Sequence, residues 1–208
     1  MYVLVALWFV WRLYMEKNIA LFIVFLLFSS VGMVFSDGFG IEMGWGIKNL
    51  ENAGIEMSDM GDSYYELLSV PKPHPSFERY LVQIDPEKGV HLIKAVGKSI
   101  ATNGFGTSLK TEFNIIEKQL TSVYGKGEKT DWLIPTSIWD EPEDWYMGLR
   151  KQERFLFTIW EQPSPTLLRI GVVANAFSYS AGRIIIEYYS KNHDVIKAKN
   201  LAAQSSSF

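Results

Sequence analysis

The chain has 208 residues, 20 basic against 23 acidic, and a formal net charge of −3. It contains no cysteine, which excludes disulfides, thiol nucleophiles, thiolate metal sites and a lipid-modified N-terminal cysteine. The mild acidity argues against a nucleic-acid partner, whose recognition needs a basic patch.

Ile19 to Phe28 is an unbroken apolar run, IALFIVFLLF. A second candidate start, Met15-Glu16-Lys17-Asn18, stands before it. Small residues, Ser29-Ser30-Val31-Gly32 and then Val34-Phe35-Ser36, stand after it. A short charged head, an apolar core of about ten residues and a small residue at the cut form the pattern of an export signal. Ser36, with Val34 two positions earlier, places the cut before Asp37; Gly32 preceded by Ser30 is a second choice. Translation from Met15 gives the cleaner signal, so residues 1–14 read as a mis-assigned start. The alternative is an uncleaved anchor over residues 19–35, at the low edge of the length that spans a bilayer. Arg12 and Lys17 precede that run, so the C-terminal part is expected outside the cytoplasm in either case. The expected organisation is a signal peptide or membrane anchor over 1–36, a single α+β domain over 37–192 and a polar tail over 193–208.

Gly40 to Gly44 alternates and is predicted as an opening strand. Ile47 to Ala53 is predicted as two turns of helix, with Gly54 as a left-handed stop. Tyr64 to Val70 alternates and is aromatic, a strand pattern; Pro71 to Pro75 then breaks any ladder. Glu78 to Ile84 and Val90 to Val96 are predicted as a hairpin, with Tyr80, Val82 and Ile84 on one face and a type I turn with a bulge at Asp85-Pro86-Glu87-Lys88-Gly89. Leu109, Phe113, Ile116, Leu120 and Val123 fall at steps of four, three, four and three, which predicts a helix over Thr107 to Tyr124. Thr107 or Ser108 is expected to cap it and Gly125 to end it. Arg154 to Glu161, Leu167 to Ala174 and Arg183 to Tyr189 are predicted as a meander. In its last strand Ile184, Ile186 and Tyr188 face one way, and Arg183 and Glu187 the other. The fold class expected is therefore α+β: an antiparallel sheet with one apolar and one wet face, packed on one face by two or three helices, after an N-terminal signal or anchor segment.

Three features carry candidate chemistry. Trp139-Asp140-Glu141-Pro142-Glu143-Asp144-Trp145 places four carboxylates within five positions, a possible oxygen-ligand set for a hard cation. The spacing is not that of an EF-hand loop, and a helix start explains it better, with Asp140 as N-cap, Pro142 in the first turn and Glu143 completing a capping box. Trp139, Asp140, Glu143, Asp144 and Trp145 remain the candidate binding residues; no catalytic, cofactor or metal residues are assigned. Asn103 to Lys110 sets glycines before a helix, but not at phosphate-loop spacing. His74, His91 and His193 lie on a proline loop, a strand and the tail, with no HExxH or GxSxG motif to suggest a hydrolase. Trp45, Trp132, Trp139, Trp145 and Trp160 form either a stacking surface for sugar or peptide, or core.

The element order is a strand, a short helix closed by glycine, strands, an amphipathic helix ending Leu120-Thr121-Ser122-Val123-Tyr124-Gly125-Lys126-Gly127, then strands closing with Ile186-Glu187-Tyr188. Over roughly Phe39 to Tyr189 this order resembles small bacterial exported α+β proteins, similar in turn to the β-lactamase-inhibitor-protein-like fold. Gly44-Trp45-Gly46-Ile47-Lys48-Asn49-Leu50 resembles the strand-to-helix junction of that group, with Trp45-Gly46 as a departure from its usual pattern. The resemblance implies a protein that binds other proteins or supports envelope assembly and is not an enzyme; it carries over no functional residues. The expectation is an exported, periplasmic, non-enzymatic protein with a protein partner in the cell envelope, no cofactor, and membrane contact only through residues 19–35 if uncleaved. The alternatives are a secreted ligand-binding domain or hydrolase using residues 139–145, and a single-span membrane-anchored accessory protein.

Overall fold

The structure, a computed structural model, describes residues 37–205. The expected signal or anchor, with its start and its cut, lies outside the described residues. Nine strands form one antiparallel sheet: β1 (Met57–Gly61), β2 (Tyr64–Leu67), β3 (Phe77–Asp85), β4 (Gly89–Gly97), β5 (Ile100–Ala101), β6 (Glu128–Leu133), β7 (Arg154–Glu161), β8 (Leu167–Ala176) and β9 (Ala181–Ser190). The order across it is β1-β2-β3-β4-β9-β8-β7-β6, with β5 pairing with the start of β9. The α+β expectation holds, as do the hairpin and the meander. The last strand closes the sheet in its middle, between β4 and β8.

One face is covered by three helices. These are α1 (Ile47–Asn52), α2 (Thr107–Tyr124) and α3 (Trp145–Arg150), the last led by a 3-10 turn at Pro142–Asp144. The alternation is readable strand by strand. Leu156, Trp160, Ile170, Val172, Ile184, Ile186, Tyr188, Ile93, Ala95, Tyr80 and Val82 are all buried and meet in register across the strands. Leu109, Phe113, Ile116 and Leu120 of α2 are buried against this face, each contributing about 1.5–3 kcal/mol by removal from water.

Several local expectations are corrected. Gly40 to Gly44 is no strand. The segment makes only an isolated bridge, Gly38 with Ile41, because Phe39, Gly40 and Gly44 have φ of 53°, 86° and 87° and curl the chain. Asp37 holds the curl, its Oδ2 accepting from Met43 N at 2.8 Å and its Oδ1 from the Thr166 hydroxyl. The Phe39 ring sits edge-on between Phe77, Tyr80 and Tyr188, with centroids 5.6, 4.9 and 5.8 Å away, and this packing sustains its unusual backbone. The cap of α2 is neither Thr107 nor Ser108. Asn103 Oδ1 accepts from Thr107 N and from the Thr107 hydroxyl, both at 3.1 Å. Gly106 at the cap has φ of 68°, and a Cβ there would stand 2.1 Å from the Trp145 ring. Val123, the last residue of the predicted stripe, is 60% exposed. The tail is helical: α4 spans His193–Ser205.

Candidate functional site on the open face of the sheet

The second face of the sheet is built from the alternate residues of the same strands, and cross-strand register orders it into rows. One row runs Thr130, Phe157, Val173, Ile185, Val96. The face is therefore not uniformly wet, as the alternation alone suggests. Next to this row Trp132 of β6 is paired with Phe155 of β7. Their rings stack at 5.9 Å and 19°, and they are 49% and 37% exposed. Phe177, in the β8–β9 loop, is 45% exposed with the Arg183 guanidinium 4.0 Å from its ring. A second row is charged: Glu187, Lys94, Leu81 and Glu66 follow one another across β9, β4, β3 and β2. Lys94 pairs with Glu187 at 2.9 Å, and Arg79 with Glu66 at 2.6 Å.

A third row, Arg169, Tyr189, Leu92, Gln83 and Tyr64, lies under α4. Between this row and α4 is a cleft of about 680 Å³, lined also by Asp62 and Ser63 of the β1–β2 turn and by Lys197, Asn200 and Leu201 of α4. Asp62 and Ser63 have φ of 51° and 64°, as a type I′ hairpin turn requires at both central residues. Ile84 N donates to Ser63 O at 3.0 Å and holds that turn over the cleft.

His91 and His193 meet at the edge of the cleft, 2% and 7% exposed, with their Nδ1 atoms 3.0 Å apart. One ring donates N–H and the other accepts, so in the neutral pair the two facing Nδ1 atoms satisfy each other. Burial, reinforced by His193 and opposed by Asp85, pushes the His91 imidazole down to about 4. Burial lowers His193 as well, with Asp194 opposing. Tyr189 donates to Glu187, and burial together with this bond raises its hydroxyl above the usual range. Glu187 thus receives both Tyr189 and Lys94. Tyr189, Glu187, Lys94 and the facing Nδ1 atoms of the histidines are thus engaged with one another.

The sequence-predicted residues lie elsewhere. None of Trp139, Asp140, Glu143, Asp144 and Trp145 lines the cleft. Asp140 and Glu143 are exposed, Trp139 and Asp144 half-buried, and Trp145 is 3% exposed. Trp145 is a structural residue: its Nε1 donates to Asp131 at 3.1 Å, and Lys110 Nζ lies 4.1 Å from its ring. Burial lowers the Lys110 ammonium, with Asp131 opposing. The segment does open a helix, with Trp145 and Leu149 both buried on one side. The capping box on Asp140 is absent, because the turn begins at Glu141, whose carbonyl accepts from Asp144 N at 3.0 Å without a side-chain cap. Among the described residues no group of three or more histidines, aspartates and glutamates is gathered so as to hold a metal ion. The histidine pair was not legible in the sequence. Its members are 102 positions apart and are brought together only by the return of α4.

No protein-family model, curated protein or solved structure matches this chain. Among the described residues no helix is long and apolar enough to cross a membrane.

Proposed function

We propose that this chain is an exported, non-enzymatic protein that binds a protein of the cell envelope through the part of its sheet's open face that no described element covers. The observation that carries this reading is the half-buried row Phe157, Val173 and Ile185 together with the exposed rings of Trp132, Phe155 and Phe177. A contiguous apolar and aromatic patch rimmed by charge has the composition of an interface core. The rim here is Arg183, Glu187 and Lys94. The engagement of Glu187 by both Tyr189 and Lys94 beside the cleft supports binding over catalysis.

Export is supported by the apolar run Ile19 to Phe28. It fits the part played by Asp37, the residue after the expected cut, which is already 5% exposed and tied into the fold. The resemblance to small exported proteins that bind other proteins points the same way. The anchored reading differs only in keeping residues 1–36. The ligand-binding or hydrolase alternative keeps residues 139–145 as its site.

A photoreactive residue at Phe155, compared with one at the exposed Glu51 of α1, tests the surface in the native host. A discrete adduct from position 155 alone, lost on Phe157→Asp, is the expected result. Equal labelling from both positions would sink the proposal. N-terminal sequencing of the mature protein separates the export readings: a chain beginning at Asp37 favours a cleaved signal, and one that retains Ile19 favours the anchor.

A further inference from the structure

α4 is lightly held on the sheet. Of its described side chains only His193 and Ile196 are buried. Its ion pairs are Arg169 with Asp194 at 3.3 Å, 35% and 57% exposed, and Lys199 with Glu87 at 3.4 Å, 62% and 71% exposed, and pairs this open to solvent contribute little. An element with few buried contacts opens at low free energy. Among the described side chains the buried hold on α4 is Ile196, the Tyr189 ring against His193 and the His91–His193 hydrogen bond, and that bond joins two titratable rings.

We infer that α4 is a detachable cover on the open face, latched by the uncharged His91–His193 pair, and that placing a proton on each ring releases it. The inference goes beyond the proposed partner surface and stands whether or not the apolar row binds a protein.

The proton count decides when release occurs. In the neutral pair one Nδ1–H donates to the other, bare Nδ1 across 3.0 Å. A first proton adds to the Nε2 of the donating ring and leaves that bond intact. A second has only the accepting Nδ1 to occupy. Two N–H donors and two positive charges then face each other in a buried place, and the bond becomes a repulsion. The rings titrate as a coupled pair, so release follows the second step.

The surroundings set the balance. Asp85 of β3 favours a charged His91, but its Oδ1 is already engaged by Glu87 N and Lys88 N at 2.9 and 2.8 Å. On α4, Asp194 favours a charged His193 while Lys197 opposes it, and Arg169 of β8 opposes it too. Tyr189 of β9 presents its ring to His193 at 4.7 Å, edge to face, and supplies no counter-charge. Burial acts against both cations. Release uncovers Tyr64, Gln83, Leu92 and Tyr189, the row now beneath α4, and extends the accessible face across the sheet.

The test is hydrogen–deuterium exchange of the full-length chain at about pH 7 and about pH 4, each rate normalised to that of unstructured chain, with α2 as internal reference. The expected result is that protection of the α4 amides falls about ten-fold or more relative to α2 on acidification. In His91→Asn, whose amide can accept from His193 but takes no proton, the ratio is expected to stay within about two-fold. An unchanged ratio in the native chain, or an equal fall in the variant, overturns the inference. If His91→Asn loses α2 protection at neutral pH and so fails to fold, His193→Asn makes the same comparison from the other side of the pair.

Discussion

The two faces of this sheet are made by the same strands, and each strand supplies residues to both in strict alternation. On the covered face the aliphatic and aromatic residues meet three helices and are almost wholly removed from water. On the open face Phe157, Val173 and Ile185 form an equally apolar row across β7, β8 and β9, yet they are only half-buried, and none of the described helices packs on them. One end of that open face carries a helix after all, but α4 rests on a polar cleft and two buried side chains. The contrast teaches that apolar alternation specifies which residues share a face and not what covers them. The covered face holds most of the buried apolar surface, and the open face is where the proposed partner contact lies.

Substitutions can break this contrast, beginning with the largest effect. Phe113→Ala, at a fully buried site of α2 against the covered face, is expected to lower unfolding free energy by about 3–5 kcal/mol in a urea titration. Gly106→Ala combines a φ of 68° with a Cβ driven into the Trp145 ring, and the same titration is expected to show a loss of about 1–3 kcal/mol.

The histidine pair gives a pH dependence whose sign follows from its depressed titration. His91 titrates lower in the folded chain, at about 4, than in the unfolded chain, where the ordinary value of 6.5 applies. The unfolded state therefore binds more protons between these values, and stability rises with pH there. The contribution is complete above pH 6.5 and is lost as pH falls toward 4. Thermal unfolding of the native chain should accordingly fall more steeply over that range than that of His91→Asn. Parallel curves would remove the pair from the account of acid stability.

The open face should respond weakly. Trp132→Ala, at a half-exposed ring, is expected to change unfolding free energy by about 1 kcal/mol or less while abolishing the photo-adduct from position 155. A loss as large as that of Phe113→Ala would show this patch to be core. Smallest of all is Glu66→Gln. Its partner Arg79 holds the Glu66 carboxyl below the usual range, but the guanidinium side is 44% exposed. Such a pair contributes about 0.2–1 kcal/mol before further screening by salt.

How much was legible depended on whether the local pattern had a face to show. The Tyr80-Val82-Ile84 and Ile184-Ile186-Tyr188 alternations and the α2 stripe identified the covered face, because a half-buried strand or helix must repeat its apolar residues at the period of its backbone. The edge strands β1 and β6 escaped such reading. Met57–Gly61 and Glu128–Leu133 are exposed along most of their length, so solvent removes the alternation that would mark them. The hairpin turn was legible because the φ of 72° at Gly89 is a need set inside the turn itself; the close approach of Gly44 O, within 2.2 Å of any added Cβ there, is a tertiary contact that the turn sequence does not show. The tail was not. Its 13 residues hold two buried side chains, too few to impose a periodic stripe.

The candidate site was hardest to read. Carboxylates crowded in sequence at 140–144 drew attention, but helix geometry turns most of them to solvent. The groups that do converge, His91 with His193 and Glu187 with Lys94 and Tyr189, come from β4, β9 and α4. By itself the sequence determined the fold class, the residues of the covered core and the turn chemistry, since all three are marked by patterns over residues a few positions apart. Only the tertiary structure decided that the last strand closes the sheet beside β4, that α4 returns across the open face, and that two histidines meet beneath it. Those contacts join positions 92–96 to 185–189 and 91 to 193, and no local periodicity encodes a pairing at that separation.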